Sequence, residues 1–421
     1  MAPEAPPRAP LTMSHVVVMV TTSYPRFPGD SVGTFMEPIA RSVAARGHEV
    51  HIVAPWHPLV ARPAMEHGVF FHFYRYAPLP SLNVFGYAAA MRADVTLRGA
   101  AYLAAPLALA AGWRTARAVA RRHRATIMHG HWVIPGGVTA ALAAPAVPLV
   151  VSLHGSDVYV AETFAPARVA ARRAFRAAGF VTACSDDLAK RAVALGADPA
   201  RIETVPYGVD VARFTTGAAV REARRRELGV GDRVPLCVAA GRLVHKKGFA
   251  YLIDAVASVP GLVLAVVGDG TLAQELRAQA RTTGVAERVR FLGNQTQDRV
   301  GEYLGAADIV CVPSIRDDSG NVDGLPNVVL EALASATPLI TTTAGGIGAV
   351  VEDGRTAVVV PERDSGAIAA AMIRLLSDPQ AARDIGSAGR ALVQARFGWE
   401  RTAARFEAAY ARALALQSGH S

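Results

Sequence analysis

The sequence predicts an α/β protein with two doubly wound, Rossmann-like domains that face each other across a deep cleft. Three observations predict this class. A chain of 421 residues is too long for one ordinary core. Short β-branched runs alternate with helical stretches, which is the pattern of parallel sheets covered by helices on both faces. This alternation starts a second time near residue 234, so two such sheets are expected.

In the first half, Val16–Val20 is a continuous apolar run, as expected of a strand that is buried on both faces. A helix is predicted from Gly33 to Arg46, and Gly47 ends it. The other strands predicted for this half span residues 49–54, 126–130, 148–153, 180–183 and 201–205.

In the second half, strands are predicted at residues 234–239, 262–267, 289–292, 309–313, 338–342 and 357–360. We interpret Pro206–Asp210 as the segment in which the chain crosses from the first domain to the second. We therefore predict an N-terminal domain (15–207), a C-terminal domain (208–395) and a final helix (396–421) that packs back on the N-terminal domain. The proline-rich residues 1–14 are expected to be a disordered tail.

The composition predicts a folded protein of a reducing compartment. Hydrophobic residues make up 51% of the chain and charged residues 19%, so a folded protein is expected. No signal peptide and no run of 18 apolar residues is recognised, which predicts a cytoplasmic protein. The cysteines lack metal-ligand spacing and read as free thiols of a reducing compartment: Cys184, Cys237 and Cys311.

The net charge of +9 lies almost wholly in the first half, since residues 1–215 carry +8 of it. It concentrates in two arginine clusters, 114–124 and 168–176. They are either two solvated helix faces or a surface that attracts an anionic partner, such as a lipid leaflet or a phosphate-bearing acceptor. A peripheral position at the inner face of the cell membrane would follow from the second alternative. Nucleic acid is not expected, because no aromatic residues are interleaved to stack on bases.

Lysine is scarce, with 3 Lys against 41 Arg, yet two lysines are adjacent at Lys246 and Lys247. They lie in a loop after a predicted strand, close to Arg242. An ammonium group beside a guanidinium suits a phosphate, although a solvated basic turn is the plainer alternative.

Other loops after strands of the second half carry unusual residues. Gly268 and Gly270 allow close approach of backbone. Pro326 is expected to open a helix, with Asp323 in the loop before it and Glu331 in its second turn, and amides at a helix start favour phosphate. Two cations, free amides and two acids for hydroxyl groups are what a nucleoside diphosphate sugar requires. Neither GxxxxGK[ST] nor GxGxxG is present, so an NTPase or nicotinamide enzyme is not supported.

With these motifs the chain resembles the retaining glycosyltransferases of family 4, from about Val16 to the final helix. The resemblance implies the GT-B fold, in which the second domain binds the donor. Arg242 and Lys247 occupy the places of the residues that bind the donor diphosphate, with Lys246 the less expected partner. In the E-x7-E motif, Glu331 would hold the ribose and the first acid would contact donor-sugar hydroxyls. The rest of that motif, Gly324, Leu325, Pro326 and Asn327, would lie along the donor.

By the same resemblance, the first domain would bind the acceptor. Gly33 matches the glycine loop under the donor phosphate, and His154 would lie near the donor sugar as a catalytic residue. Asp157 would orient the loop or the acceptor. His129 and His131 form an H-x-H that has metal-ligand spacing but no evident third ligand, so His131 or Trp132 is instead placed on the acceptor side. No metal or other cofactor is expected.

Two positions depart from the family. The first acid of E-x7-E is Asp323, one methylene shorter than Glu, and Ala349 stands where the family often has an acid. Donor specificity therefore cannot be carried over from Glu-bearing relatives.

The activity that the resemblance implies is hexosyl transfer, with retention, from a UDP- or GDP-linked sugar to a hydroxyl. The acceptor would be a polysaccharide intermediate, a glycolipid or another glycoconjugate, or else a small molecule such as a soluble glycoside or natural product. Two alternatives stay open: an epimerase or phosphorylase of the same architecture, and a nucleotide-sugar-binding protein with impaired catalysis.

Overall fold

A computed structural model describes residues 14–30, 32–79, 82–83, 85–87 and 99–418. Side chains of residues 99–103 and 418 are not part of this description. The predicted tail at 1–14 lies outside it, apart from Ser14. Within the described part of the chain, none of the helices combines the length and apolarity needed to cross a bilayer.

The N-terminal sheet has eight strands in the order β3-β4-β2-β1-β5-β6-β7-β8. All neighbours pair in parallel except β3 and β4, which are antiparallel. The strands are Val16–Val20 (β1), Glu49–Pro55 (β2), Met65–Glu66 (β3), Val69–Tyr74 (β4), Ile127–His131 (β5), Leu149–Leu153 (β6), Phe180–Ala183 (β7) and Ile202–Thr204 (β8). The helices of this half are Met36–Ala45 (α1), Gly99–Arg122 (α2), Val138–Ala143 (α3), Ser156–Thr163 (α4), Ala165–Ala177 (α5) and Asp186–Ala194 (α6).

The C-terminal sheet has six parallel strands in the order β11-β10-β9-β12-β13-β14. They are Leu236–Ala240 (β9), Val263–Val267 (β10), Val289–Phe291 (β11), Ile309–Val312 (β12), Leu339–Thr341 (β13) and Val358–Val359 (β14). The remaining helices are Ala218–Glu227 (α7), Phe249–Ala257 (α8), Ala273–Thr282 (α9), Gln297–Ala306 (α10), Asn327–Ala334 (α11), Ser365–Ser377 (α12), Pro379–Arg396 (α13) and Trp399–Ser418 (α14).

These sheets confirm the predicted fold class. The central strands are buried on both faces because they are continuous apolar runs; β6, β9 and β10, for example, are buried at every residue. The helices cover the sheets with one apolar face each. On α5, Ala167, Ala171 and Phe175 are buried, whereas Arg172 and Arg173 are exposed. Strands β3 and β4 at the sheet edge were not predicted.

The final helix, α14, lies on the N-terminal half, against α1, β6 and β7. The Tyr410 hydroxyl is 2.9 Å from His129 Nδ1 in β5. Glu407 forms an ion pair with Arg46 at the end of α1. The chain thus crosses back after α13, and its last helix ties the two halves together.

Candidate active site

Two lysine ammonium groups hold one carboxylate at the carboxyl end of the C-terminal sheet. Lys247 Nζ lies 2.7 Å from Asp323 Oδ2, and Lys246 Nζ lies 3.2 Å from Asp323 Oδ1. The loop after β9 carries the lysines and the loop after β12 carries the aspartate. These loops are joined where the Ile315 N–H donates to the Lys246 carbonyl oxygen (2.8 Å). Both ammonium groups therefore lie on Asp323, and the expectation that Lys247 rather than Lys246 contacts the donor diphosphate stays a prediction.

The charge state of Asp323 follows from this arrangement. Burial alone would raise the pKa of its carboxyl. The ammonium groups of Lys247 and Lys246, with a further contribution from Arg242, outweigh burial and hold the pKa well below its usual range. Arg242 is exposed at the rim of the same loop. Three cationic groups thus gather around one ionised carboxylate, and an incoming diphosphate would meet a concentrated positive field.

Glu331 lies on α11, behind this centre. Its Oε1 accepts a hydrogen bond from Gln297 Nε2 of α10 (3.0 Å). Burial raises the pKa of Glu331, against the opposing effects of Gln297 and of nearby cations including Lys247. Pro326 directly precedes α11, as predicted, and Leu325 is buried. Asp323 is therefore in the loop and Glu331 in the helix, at two different depths of the site.

Several buried polar atoms at or beside the site have no hydrogen-bond partner within the described structure, and two of them lie near the start of α11 and the end of β12. These two are Asn327 Oδ1, at the first residue of α11, and Ser314 Oγ, just after β12. Buried polar atoms are normally hydrogen-bonded, so such groups at a helix start suit a polar ligand. Their position agrees with the predicted donor-binding stretch, although contact of Asn327 with a donor stays a prediction.

Close backbone packing brings the two domains together at Gly324. A Cβ at this position would lie 2.6 Å from Cys184 Sγ and 3.2 Å from the His154 carbonyl oxygen, both in the N-terminal half. Gly346, on the loop after β13, packs equally closely under the Gly324 carbonyl oxygen. A larger residue at 324 would separate the halves, so the glycine sets how near Asp323 comes to His154.

Gly268 and Gly270 have a packing role in the structure. A Cβ at Gly268 would lie 2.0 Å from the Gly241 carbonyl oxygen, and one at Gly270 would lie 2.4 Å from that of Leu243. The loops after β9 and β10 therefore meet backbone to backbone, which fixes the loop that carries Arg242 and both lysines. That the glycines also touch a donor remains a prediction.

His154 directly follows β6 and faces the Asp323 loop from the other half. Its Nδ1 shares a 2.7 Å hydrogen bond with the Tyr207 hydroxyl, and its Nε2 lies 3.2 Å from His131 Nδ1. Burial, reinforced by His131, holds the pKa of His154 well below its usual range. The ring is therefore neutral at physiological pH, so one nitrogen donates a hydrogen bond and the other accepts one, and the ring does not act as a cation.

Aromatic rings fix the orientation of His154. Phe35 lies 4.9 Å from the His154 ring and 4.9 Å from the Tyr207 ring, and Trp132 lies 4.6 Å from His154, all between centroids. Phe35 directly precedes α1, and Gly33, with a φ of 66°, forms the turn before it. The predicted glycine loop is thus next to His154, on the cleft side of the N-terminal sheet.

His131 does not line the cleft as the acceptor-side prediction required. It is fully buried behind His154, and burial lowers its pKa to about 3. It supports His154, and Trp132 is the more accessible neighbour. The H-x-H metal alternative also fails on geometry, because both His129 nitrogens contact hydroxyl groups, those of Ser152 (2.7 Å) and Tyr410 (2.9 Å).

Asp157 orients the loop after β6. Its carboxylate accepts hydrogen bonds from the N–H groups of Val133 (2.7 Å), Gly155 (2.9 Å) and His154 (3.3 Å). Burial raises the pKa of Asp157 in spite of these bonds. Of the two roles predicted for this residue, the geometry supports orientation of the loop, since Asp157 is only 3% exposed.

The fold is shared with solved structures of low sequence identity. Sucrose-phosphate synthase from Thermosynechococcus elongatus gives a TM-score of 0.76 at 20% identity, over 95% of this chain and 100% of that chain. Anabaena HepE, crystallised with UDP and glucose, gives 0.72 at 21% identity, over 93% and 98%. The architecture is that of the GT-B glycosyltransferases.

Sequence comparison identifies the family within that class. The GDP-mannose-dependent alpha-(1-6)-phosphatidylinositol monomannoside mannosyltransferase of Mycolicibacterium smegmatis is 35% identical over 263 residues, 61% of this chain and 68% of the relative. D-inositol 3-phosphate glycosyltransferase 2 of Catenulispora acidiphila is 34% identical over 56% and 57%. The models "Glycosyltransferase Family 4" and "Glycosyl transferases group 1" match residues 32–213 and 220–392. The chain belongs to this glycosyltransferase family, which confirms the predicted resemblance.

Proposed function

We propose that this glycosyltransferase moves a hexosyl group, with retention of configuration, from a nucleoside diphosphate sugar to an acceptor hydroxyl. The observation that carries the proposal is the Lys246–Asp323–Lys247 centre, which lies at the carboxyl end of a parallel sheet and faces His154. Mannosyltransferases that use GDP-mannose are among the relatives. GDP-mannose is therefore the first donor to test, with UDP-linked sugars second.

The proposed step breaks the bond between the sugar C1 and the diphosphate oxygen and forms a bond from C1 to the acceptor oxygen. The acceptor proton passes to the departing phosphate on the same face of the sugar, so no protein nucleophile is needed. Lys247, Lys246 and Arg242 neutralise the charge that develops on the leaving group. The chemistry requires no metal or other cofactor in this scheme.

The remaining residues position the donor. When a diphosphate takes over the lysine ammonium groups, Asp323 is released to accept hydrogen bonds from donor-sugar hydroxyls. Glu331, whose Oε2 is not engaged by Gln297, accepts the ribose hydroxyls. When the donor binds, Nε2 of neutral His154 exchanges its 3.2 Å contact with His131 for a hydrogen bond at the sugar, while Tyr207 and Phe35 hold the ring. Each group acts by position, so the rate depends on closure of the cleft.

Nucleotide sugars are expected to stabilise the protein selectively. A donor at about 100 times its Kd would add about 2.7 kcal/mol to the free energy of unfolding, because it binds only the folded state. GDP-mannose should raise the Tm and be slowly hydrolysed without acceptor, and the measurement is a thermal-shift panel followed by product chromatography. Mannose 1-phosphate and GMP are the matched controls. If no nucleoside diphosphate or its sugar changed the Tm, the proposed donor site would be wrong.

The acceptor is proposed to be a glycolipid or another glycoconjugate presented at the inner face of the cell membrane. One surface of α2, which we call the α2 surface, supports this. It exposes the apolar side chain of Leu107 (57%) on the same helix stripe as Arg114 and Arg121, which are also exposed, and Trp113 (37%) is exposed further round the helix. Aromatic and aliphatic groups flanked by arginine are typical of helices that lie in a membrane interface.

Vesicle binding is expected to depend on this surface. The double variant Arg114→Gln/Arg121→Gln should bind anionic vesicles about 30-fold more weakly, given about 1 kcal/mol for each arginine near the surface. Co-sedimentation with phosphatidylglycerol vesicles at two salt concentrations measures it. Arg374→Gln/Arg383→Gln, two exposed arginines of the C-terminal half, is the control. Vesicle binding that does not change with lipid charge or salt concentration would contradict the proposal.

A further inference from the structure

Three histidines and one glutamate meet on the N-terminal sheet, outside the candidate active site. His51 lies on β2, His72 on β4 and His123 just beyond the end of α2. One potential ligand atom from each histidine lies within 4.8 Å of the other two. Glu49, two residues before His51, joins the group through its carboxylate. None of these residues takes part in the proposed transfer reaction.

The sheet register explains why these residues meet. His51 is opposite Phe70 on the neighbouring strand, and His72 is opposite Val53, so the two imidazoles are two positions apart on the same face. The end of α2 covers that face and places the His123 ring 4.1 Å from the His51 ring and 5.8 Å from the His72 ring, between centroids. Residues from three separate elements thus converge on one point.

The nitrogen positions resemble those of metal ligands. His51 Nδ1 and His72 Nε2 face each other at 3.0 Å. Two nitrogens bound to one tetrahedral Zn²⁺ at 2.0–2.1 Å would be roughly 3.4 Å apart, so a small movement would admit an ion. The His123 side chain is 26% exposed, which leaves a path for entry and room for a water ligand.

Glu49 supplies the support that metal-binding histidines usually have. Its Oε1 lies 2.7 Å from His51 Nε2, the nitrogen that points away from His72. A carboxylate there keeps the proton on Nε2 and leaves the lone pair of Nδ1 free for a metal. Glu49 also offsets the positive charge that an ion would bring near Arg122.

We propose that His51, His72 and His123 bind one divalent transition-metal ion of the zinc class, with Glu49 orienting His51 and water completing the coordination. The ion fastens the end of α2 to β2 and β4. It therefore has a structural role in the half of the protein that carries the α2 surface, and it is separate from the donor site. The proposal does not rest on the proposed transferase activity.

Metal binding to the full chain without a polyhistidine tag tests this. Equilibrium dialysis against ZnCl₂ followed by elemental analysis is expected to give one ion per chain, and Zn²⁺ should raise the Tm. Co²⁺ should give the intense visible absorption of a tetrahedral site. Glu49→Gln is expected to weaken Zn²⁺ binding about 10- to 100-fold, and His123→Ala, which removes a ligand, by more than that.

The matched control is His67→Ala, because His67 is an exposed histidine in the turn between β3 and β4. It should bind Zn²⁺ like the unchanged protein. His123 is partly exposed at a helix end, so its alanine variant is expected to fold even if His51 or His72 variants do not. Sub-stoichiometric Zn²⁺, or equal affinity in the His123 and His67 variants, would show that the histidines form only a hydrogen-bonded stack and would overturn the proposal.

Discussion

Replacing Lys247 with alanine is expected to lower kcat/KM about a hundredfold while the protein stays folded. In the proposed reaction its ammonium group neutralises the leaving diphosphate, and losing one such charged contact costs about 3 kcal/mol of transition-state stabilisation. The fold should persist because Asp323 keeps Lys246 as a partner at 3.2 Å. Arg242→Ala is expected to change the rate in the same direction, since Arg242 contributes to the same positive field.

Steady-state kinetics with the donor found by thermal shift measure this effect. Lys190→Ala is the matched control, because Lys190 is the third lysine of the chain and is exposed on α6. It should retain the normal rate. Near-normal rates in both the Lys247 and Arg242 variants would show that the diphosphate is held elsewhere, and the site assignment would then be wrong.

Much of the fold could be predicted because its strands are buried on both faces. In an α/β chain, an uninterrupted apolar run such as Val263–Val267 is most simply explained as a strand that is buried on both faces. Strand β4 was missed because it lies near the sheet edge and is only half-buried, so its sequence, VFFHFY, carries polar and aromatic residues instead of a β-branched run.

Site residues that lie close together in the sequence could be placed from the sequence. Contacts between residues from distant parts of the chain could not. The spacing of Asp323 and Glu331 around Pro326 placed one acid in a loop and one on a helix, as the structure has them. The pairing of Lys246 with Asp323 depends on a hydrogen bond between two loops, which no local pattern reveals. The burial of His131 and the meeting of the three histidines depend on packing in the same way.

Asp323→Asn is expected to lower the free energy of unfolding by about 3 kcal/mol at pH 7, and to abolish most activity. The substitution keeps the shape of the side chain but leaves two ammonium groups close together, with Lys246 only 5% exposed. Removing one partner from a buried charge pair typically costs 3–5 kcal/mol, because the remaining charge has lost both water and its counter-ion. Here two cations lose the carboxylate they share, so we expect a loss of at least the lower value of that range.

The pH dependence gives this prediction its sharpest test. The pKa of Asp323 is lower in the folded protein than in the unfolded chain, where an aspartate titrates near 3.9. Its contribution to stability is therefore complete above about pH 5, and it is lost as the pH falls through 3.9 toward the folded pKa. Urea unfolding of the unchanged protein and the Asp323→Asn variant at pH 7, 5 and 3.5 should give the same difference in the free energy of unfolding at the first two pH values and a smaller difference at the third.

Asp232→Asn, an exposed control, should differ from the unchanged protein by less than about 0.5 kcal/mol throughout. If the Asp323 variant were as stable as that control at pH 7, the carboxylate would not be holding the two lysines together. Another group would then have to position them at the proposed diphosphate site.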